Sequence, residues 1–409
     1  MKQNKKIFCL LINSILILSI VAIFSSCNKP FAEAEAIPRK VLNPGATQTI
    51  GDMITKNENY SIYLAIVNKT PGLLAKFSDP NNELTVIAPD NDGFIRSGIP
   101  SPAVINAMPA ATVAAIGMYS VIPGRQFLKS DVSGDFPNEQ LPTSLSIGTV
   151  PGTPLLLQMT SFLSNGANGF WVNNNPIVTA DQKFTNGVLH NPYALVAPPS
   201  QLLSDAIFSN PDLSYFKAAI ARGDSGQTGT SSFGYLLGYG VTNMTVLVPD
   251  DNAFKTLLFG SVYSYLLGTG MDAASAAATA TSLTSTPDVF SNPALFPVLT
   301  AATVRGILAY HFLANDKNFT PTYRAFSNNF NKTPSFYKTL VNGSIAAHPG
   351  ILVTPTYTGP AVTGISFTGL GTFPPGGAAY SGTPAVAVSK DNLAVNGVYY
   401  VIDKVLLPQ

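Results

Sequence analysis

Three histidines, His190, His311 and His348, are the side chains of this 409-residue chain best suited to carry protons or hold a metal near neutral pH. They have no metal-ligand spacing among themselves, and the sequence contains no H-E-x-x-H. A nucleophile loop is suggested only by Gly223-Asp224-Ser225-Gly226, which spells the G-D-S-G of serine proteases. A single histidine precedes it, 33 residues upstream, whereas a triad needs a positioned base and an acid that orients it. G-x-S-x-G, the phosphate-binding Walker loop and the dinucleotide fingerprint G-x-G-x-x-G are missing too. The letters thus predict no catalysis, no cofactor and no metal.

Charge excludes a further class. Only 11% of residues are charged, against roughly 25% in an ordinary soluble domain, and 23 basic residues nearly balance 22 acidic ones. No basic stripe exists to neutralise phosphates, so nucleic acid is not an expected partner. Mean hydropathy is +0.23. The 33 glycines and 32 prolines point to many turns.

What remains is chemistry of recognition. Arg222-Gly223-Asp224 is an integrin-type tripeptide in a Gly/Ser/Thr-rich stretch, and the plainer reading is a loop. Asp90-Asn91-Asp92-Gly93 has the look of a calcium loop but lacks the twelve-residue ligand spacing and the closing glutamate. Tyr310-His311 sits on a segment where Val304, Ile307, Leu308 and His311 share one helical face. That face favours a packed, hydrogen-bonded core histidine over a ligand contact. Residues 342–382 are rich in Gly, Pro and aromatics. They either lie over a domain edge and offer Tyr357, Phe367, Phe373 and Tyr380 to a partner, or form an irregular hairpin on their own domain. The candidate ligand-binding set is Tyr310, His311, Tyr357, Phe373 and Tyr380.

The elements that would position these residues occur twice. "TVIAPDNDGF" (Thr85 to Phe94) returns as "TVLVPDDNAF" (Thr245 to Phe254), 160 residues on. "IGDMITKNENYSIYLAIV" from Ile50 resembles "LSDAIFSNPDLSYFKAAI" from Leu203, at an offset of 153. "MYSVI" from Met118 pairs with "AYHFL" from Ala309 at 191, and "TNGVLHNPYALVAPP" from Thr185 with "VNGVYYVIDKVLLPQ" from Val395 at 210. Asp181 and Asp391 share the last offset. The order is kept while the offset grows, so the second copy carries insertions of 7, 31 and 19 residues. They are expected near 222–234, 269–290 and 342–382. Locally, each "TV" block predicts a buried strand ended by Pro89 or Pro249. Asp90 or Asp250 then caps a helix, with Asp92 or Asp251 in its first turn. Phe94 and Phe254 turn back to the core. Asn186-Gly187 and Asn396-Gly397 read as turns ahead of closing strands.

The N-terminus reads as an export signal. "MKQNKK" is followed by an apolar run from Ile7 to Phe24 and by Ser25-Ser26-Cys27. A cysteine after small residues is similar to the lipobox of bacterial lipoproteins, in which it is acylated. Residues 1–26 are thus expected to be removed and Cys27 to anchor the chain. Residues 27–48 are expected to act as a tether. Of the two cysteines, Cys9 would leave with the signal, so no disulfide is predicted.

Taken together, the two "TV-x-x-P" corners, "SNPDLSYFKAAI", "AYHF", "VNNNPIVTAD" with "NGVLH", and "NGVYYVIDKVLLP" resemble the fasciclin-like domain. The resemblance implies an α+β fold, two tandem domains over 49–198 and 199–409, each a mixed β-wedge flanked by helices. It implies adhesion or extracellular binding without catalysis, and carries the family's Tyr-His pair onto Tyr310-His311 alone, since the first copy has Tyr119-Ser120. The expected protein is an envelope-anchored, outer-membrane lipoprotein that binds a protein or glycan. The alternatives are an accessory glycan-binding component of an uptake system and, last, an envelope hydrolase.

Overall fold

The computed structural model describes residues 42–149, 152–358, 361–371 and 383–408. In the first half, helices α1 (Ile50–Lys56), α2 (Ser61–Lys69) and α3 (Leu73–Ser78) lead into strand β1 (Leu84–Ile87). Helices α4 (Asn91–Arg96), α5 (Pro102–Ala107) and α6 (Ala110–Tyr119) follow, then strands β2 (Val121–Pro123), β3 (Gly134–Thr149), β4 (Leu156–Gly166), β5 (Gly169–Val172), β6 (Asn175–Phe184) and β7 (Gly187–Pro192). In the second half α7 (Leu203–Phe208), α8 (Ser214–Gly223) and α9 (Phe233–Gly238) precede β8 (Met244–Pro249). Then come α10 (Asp251–Gly268), α11 (Ala273–Leu283) and α12 (Ala301–Tyr310), and strands β9 (Ser335–Tyr337), β10 (Ile351–Thr358), β11 (Ala361–Thr368), β12 (Ala385–Ala394) and β13 (Gly397–Ile402).

The strands form two sheets, in the orders β2-β1-β7-β6-β5-β4-β3 and β8-β13-β12-β11-β10-β9. In each, the repeated "TV" strand lies parallel to the closing strand, with Thr85 opposite Val188 and Thr245 opposite Val398. The place of β2 is taken in the second sheet by a single antiparallel bridge between Val246 and Phe312. This is an α+β fold of two like-folded domains in tandem, with helices packed on each sheet.

Side-chain contacts repeat as faithfully as the strands. Asp90 accepts from Gly93 N at 2.9 Å and Asp250 from Ala253 N at 2.7 Å, each capping the helix it precedes. Phe94 and Phe254 are buried behind these caps. Thr85 and Thr245, wholly buried, each close the loop that follows the α6 or α12 region. Their hydroxyls donate to Arg125 O and Tyr323 O and accept from Phe127 N and Ala325 N. Two expectations change. Pro249 remains in strand register opposite Ile402. Asp251 does more than face the helix dipole: it accepts from Tyr215 N at 2.9 Å and from the Ser214 hydroxyl, holding the start of α8, as Asn91 holds Ile62 N at 3.1 Å.

The Asn-Gly pairs are clamps as well as turns. Asn186 accepts from Ile50 N at the start of α1 and donates to Phe77 O and Asp79 O at the end of α3. Asn396 does the same for Leu203 N, Leu237 O and Tyr239 O. The glycine that follows cannot be replaced: a Cβ on Gly397 would meet Met244 O at 2.6 Å, and on Gly187 the backbone of Leu84. Asp181 and Asp391 both take positive φ, 57° each, at bulges in β6 and β12, and there they cap Lys129 N and Ser327 N.

The segments expected as insertions have structure of their own. Residues 273–283 form α11. Residues 351–358 and 361–368 are not a loop over an edge but an antiparallel strand pair, β10 and β11, with a register shift at Thr356/Tyr357, which agrees with the reading of an irregular hairpin on its own domain. The pair is set in the sheet where β4 and β5 stand in the first domain. Ile351, Val353, Pro355, Ile365 and Phe367 alternate into the core.

Candidate functional site

Tyr310 and His311 are core residues, which corrects their place among the ligand-binding candidates. Both are buried, His311 to 1% exposure. The Tyr310 hydroxyl donates to Gly350 O at 2.7 Å. His311 Nε2 accepts from Leu406 N at 3.0 Å, so its proton sits on Nδ1, which lies 2.8 Å from Ile307 O. Burial lowers its pKa to about 4. The imidazole therefore stays neutral and pins the C-terminal segment to α12. His190 is buried in the same manner, taking Asp181 N on Nδ1 with Nε2 against Phe127 O, and burial lowers its pKa as well. His348 accepts from Gly350 N on Nδ1 at 3.0 Å.

Tyr357 is half-buried, with Lys332 Nζ 5.4 Å above its ring and its hydroxyl 3.4 Å from Phe330 O. Burial, then the charge of Asp135, raises its pKa to about 12. Phe373, Tyr380 and Cys27 lie outside the described residues. Phe367 faces the core. Among the described residues no helix is long and apolar enough to cross a membrane.

The Arg-Gly-Asp tripeptide is folded into the domain. Arg222 stacks on Phe296 at 3.6 Å and donates to Leu299 O, while Gly223 ends α8. Asp224 accepts from Phe233 N and Gly234 N at 2.9 and 2.8 Å and pairs with Arg305 at 3.1 Å. Its carboxylate caps α9 and does not project as a recognition loop requires.

Sequence reasoning missed the joint between the domains. Asn138 on β3 donates to Arg324 O and Asn329 Oδ1 at 2.8 and 3.0 Å. Asn168 donates to Asn328 O and Phe330 O at 2.7 and 3.0 Å, and Asn329 returns a bond to Asp135 O at 2.8 Å. Phe162 enters the second domain's core, 5.9 Å from Phe326, and Phe136 meets Tyr323 edge-on at 4.7 Å. Arg324, 3% exposed, lies 4.6 Å over the Phe162 ring. It donates to Asn243 Oδ1, Ala394 O and Val395 O at 2.9–3.1 Å. Burial lowers its pKa to about 10. A cleft of about 150 Å³ opens beside it, walled by β3 and β4 on one side and residues 240–243 and Val395 on the other. A second cavity, about 400 Å³ and mostly apolar, lies within the second domain, where Phe254, Leu258, Phe290, Val304 and Leu308 line it.

Residues 58–191 match the family model described as the fasciclin domain. Among solved structures, a FAS1 domain pair from the insect cell adhesion molecule fasciclin I is similar over 85% of this chain and 95% of its own, at 15% identity and a TM-score of 0.30. No curated protein matches the chain.

Proposed function

This chain is a fasciclin-family protein with two like-folded domains in tandem, and from that premise we propose that it is a non-catalytic adhesion or binding protein, held at the cell envelope by lipid on Cys27. Fasciclin domains are associated with adhesion and binding. The observation that carries the reading here is how the polar groups are used. Each histidine has a backbone hydrogen bond, and Asn186, Asn396 and Asp224 are occupied by backbone N–H and C=O groups. Groups so engaged hold shape and are poorly placed to turn over a substrate.

A protein partner fits better than a glycan. Lys332 covers a face of Tyr357 that a sugar would need. Apolar side chains instead stand out at repeated places. Val178 on β6 and Val388 on β12, 210 residues apart, are each 60% exposed, and Leu155 and Leu156 project from the β3–β4 hairpin. Exposed apolar side chains of this kind can serve contact with another protein through shape and apolar burial. The test uses beads coated with residues 28–409 and cells of the host. Adhesion that falls when Val178 and Val388 are both changed to lysine supports the proposal. Adhesion unchanged by that double variant, together with specific binding on a glycan array, transfers it to the glycan-uptake alternative. Anchoring is tested separately: a Cys27→Ser protein should leave the detergent phase for the aqueous one.

A further inference from the structure

Arg324 is a buried cation whose neighbours bring no compensating charge. Its three hydrogen bonds go to an amide oxygen and two backbone carbonyls. A guanidinium has five N–H donors, so two are not engaged by these bonds. Among the residues lining the adjoining cleft it is the one charged side chain. The others sort into two kinds. Gln140 and Gln158 offer amide donors, since Gln140 uses its Oε1 to accept from Asn243 and leaves its NH₂ group for another partner. Ile147, Leu157, Met159 and Val241 make an apolar rim.

A buried charge without a counter-charge is costly, and such arginines are ordinarily paired with a carboxylate or phosphate. We propose that the interdomain cleft is a binding site for a small organic carboxylate, whose oxygens take the free N–H groups of Arg324 and the amides of Gln140 and Gln158 while a short apolar group meets the rim. The volume, about five water molecules' worth, admits a carboxylate with a few carbons. A planar carboxylate matches the guanidinium fork, and the apolar rim disfavours inorganic phosphate. Both domains line the cleft, so an occupant binds only the docked arrangement and stabilises it. The ligand is either a free acid from the medium or a carboxylate on a peptide chain, and the chemistry at Arg324 is the same for both.

The experiment is calorimetric titration of residues 28–409, in a buffer free of carboxylates, with butyrate, butanamide, inorganic phosphate and a short peptide ending in a free carboxylate. One butyrate per chain, with butanamide and phosphate weaker by about tenfold or more, is expected, because a charge-assisted hydrogen bond is at stake. Binding by the peptide in place of butyrate assigns the source to a chain terminus. Arg324→Gln should abolish binding. Gln158→Glu supplies the carboxylate from within, and should both raise the melting temperature and remove butyrate binding, which keeps the proposal testable if Arg324→Gln fails to fold. Equal affinity for butyrate and butanamide, absence of binding by every carboxylate, or full butyrate binding by a folded Gln158→Glu protein overturns it.

Discussion

Acidification should act on the fold through His311, and the size of the effect can be worked out. The ring must accept from Leu406 N on Nε2, and a second proton there would set two donors face to face. Its pKa in the folded chain is about 4, against an ordinary value of 6.5. A histidine with a depressed folded pKa is protonated first in the unfolded state. Stability is therefore fully present above pH 6.5 and is lost as pH falls toward 4, where the loss levels off. Between pH 7 and pH 5 the linkage amounts to about 2 kcal/mol. The assay is urea unfolding of residues 28–409 at both pH values, for the native sequence and for His311→Gln, which does not titrate. The variant is expected to be less stable at pH 7, because Ile307 O or Leu406 N loses its partner, but to lack that part of the pH dependence. His190 titrates in the same direction and is present in both proteins, so the difference isolates His311. If the two proteins lose equal stability on acidification, the buried-pin account of His311 is wrong.

Four further outcomes are expected. Asn186→Ala and Asn396→Ala should each destabilise their own domain by about 2 kcal/mol, since each leaves two backbone groups without a partner, Ile50 N and Phe77 O in the first and Leu203 N and Leu237 O in the second; denaturant titration measures it. Asn138→Ala, which removes two bonds across the joint, should split a single calorimetric transition into two or widen an existing gap. Asp224→Ala should cost about 2–4 kcal/mol through loss of the α9 cap and the Arg305 pair, and Arg-Gly-Asp peptides should fail to compete with any adhesion of the native protein. Gly397→Ala should fail to fold its domain at ordinary temperature, seen as loss of near-ultraviolet circular dichroism, because its Cβ would collide with Met244 O.

Much of the fold was legible because its signals are local or repeated. Asp90 and Asp250 declare themselves as caps by standing after a β-branched run and a proline and ahead of a helix, and the structure bonds each to the backbone N–H three residues on. The strand pattern of β10 and β11 was hidden by composition: Pro355 and Gly364 disguised an alternation of Ile351, Val353, Ile365 and Phe367 that period-two counting finds. The candidate site fared worse. Tyr310-His311 was singled out through the family resemblance, while its helical periodicity already pointed to the core, and the periodicity was the better guide. Arg222-Gly223-Asp224 has the letters of a loop, yet helix α8 runs through Gly223 and Phe296 takes up the arginine.

The duplication itself, the order of its blocks and the capped corner inside each follow from the sequence alone, because backbone geometry and capping are settled by residues within a few positions of one another. How the two copies meet was left to the tertiary structure. The contacts of Asn138, Asn168 and Phe162 with residues 324–330 join positions about 160–190 apart in the chain, and none of them bears a local mark. Arg324 is likewise an ordinary arginine until β3 and β4 of the other domain close over it and remove the water that would have screened its charge.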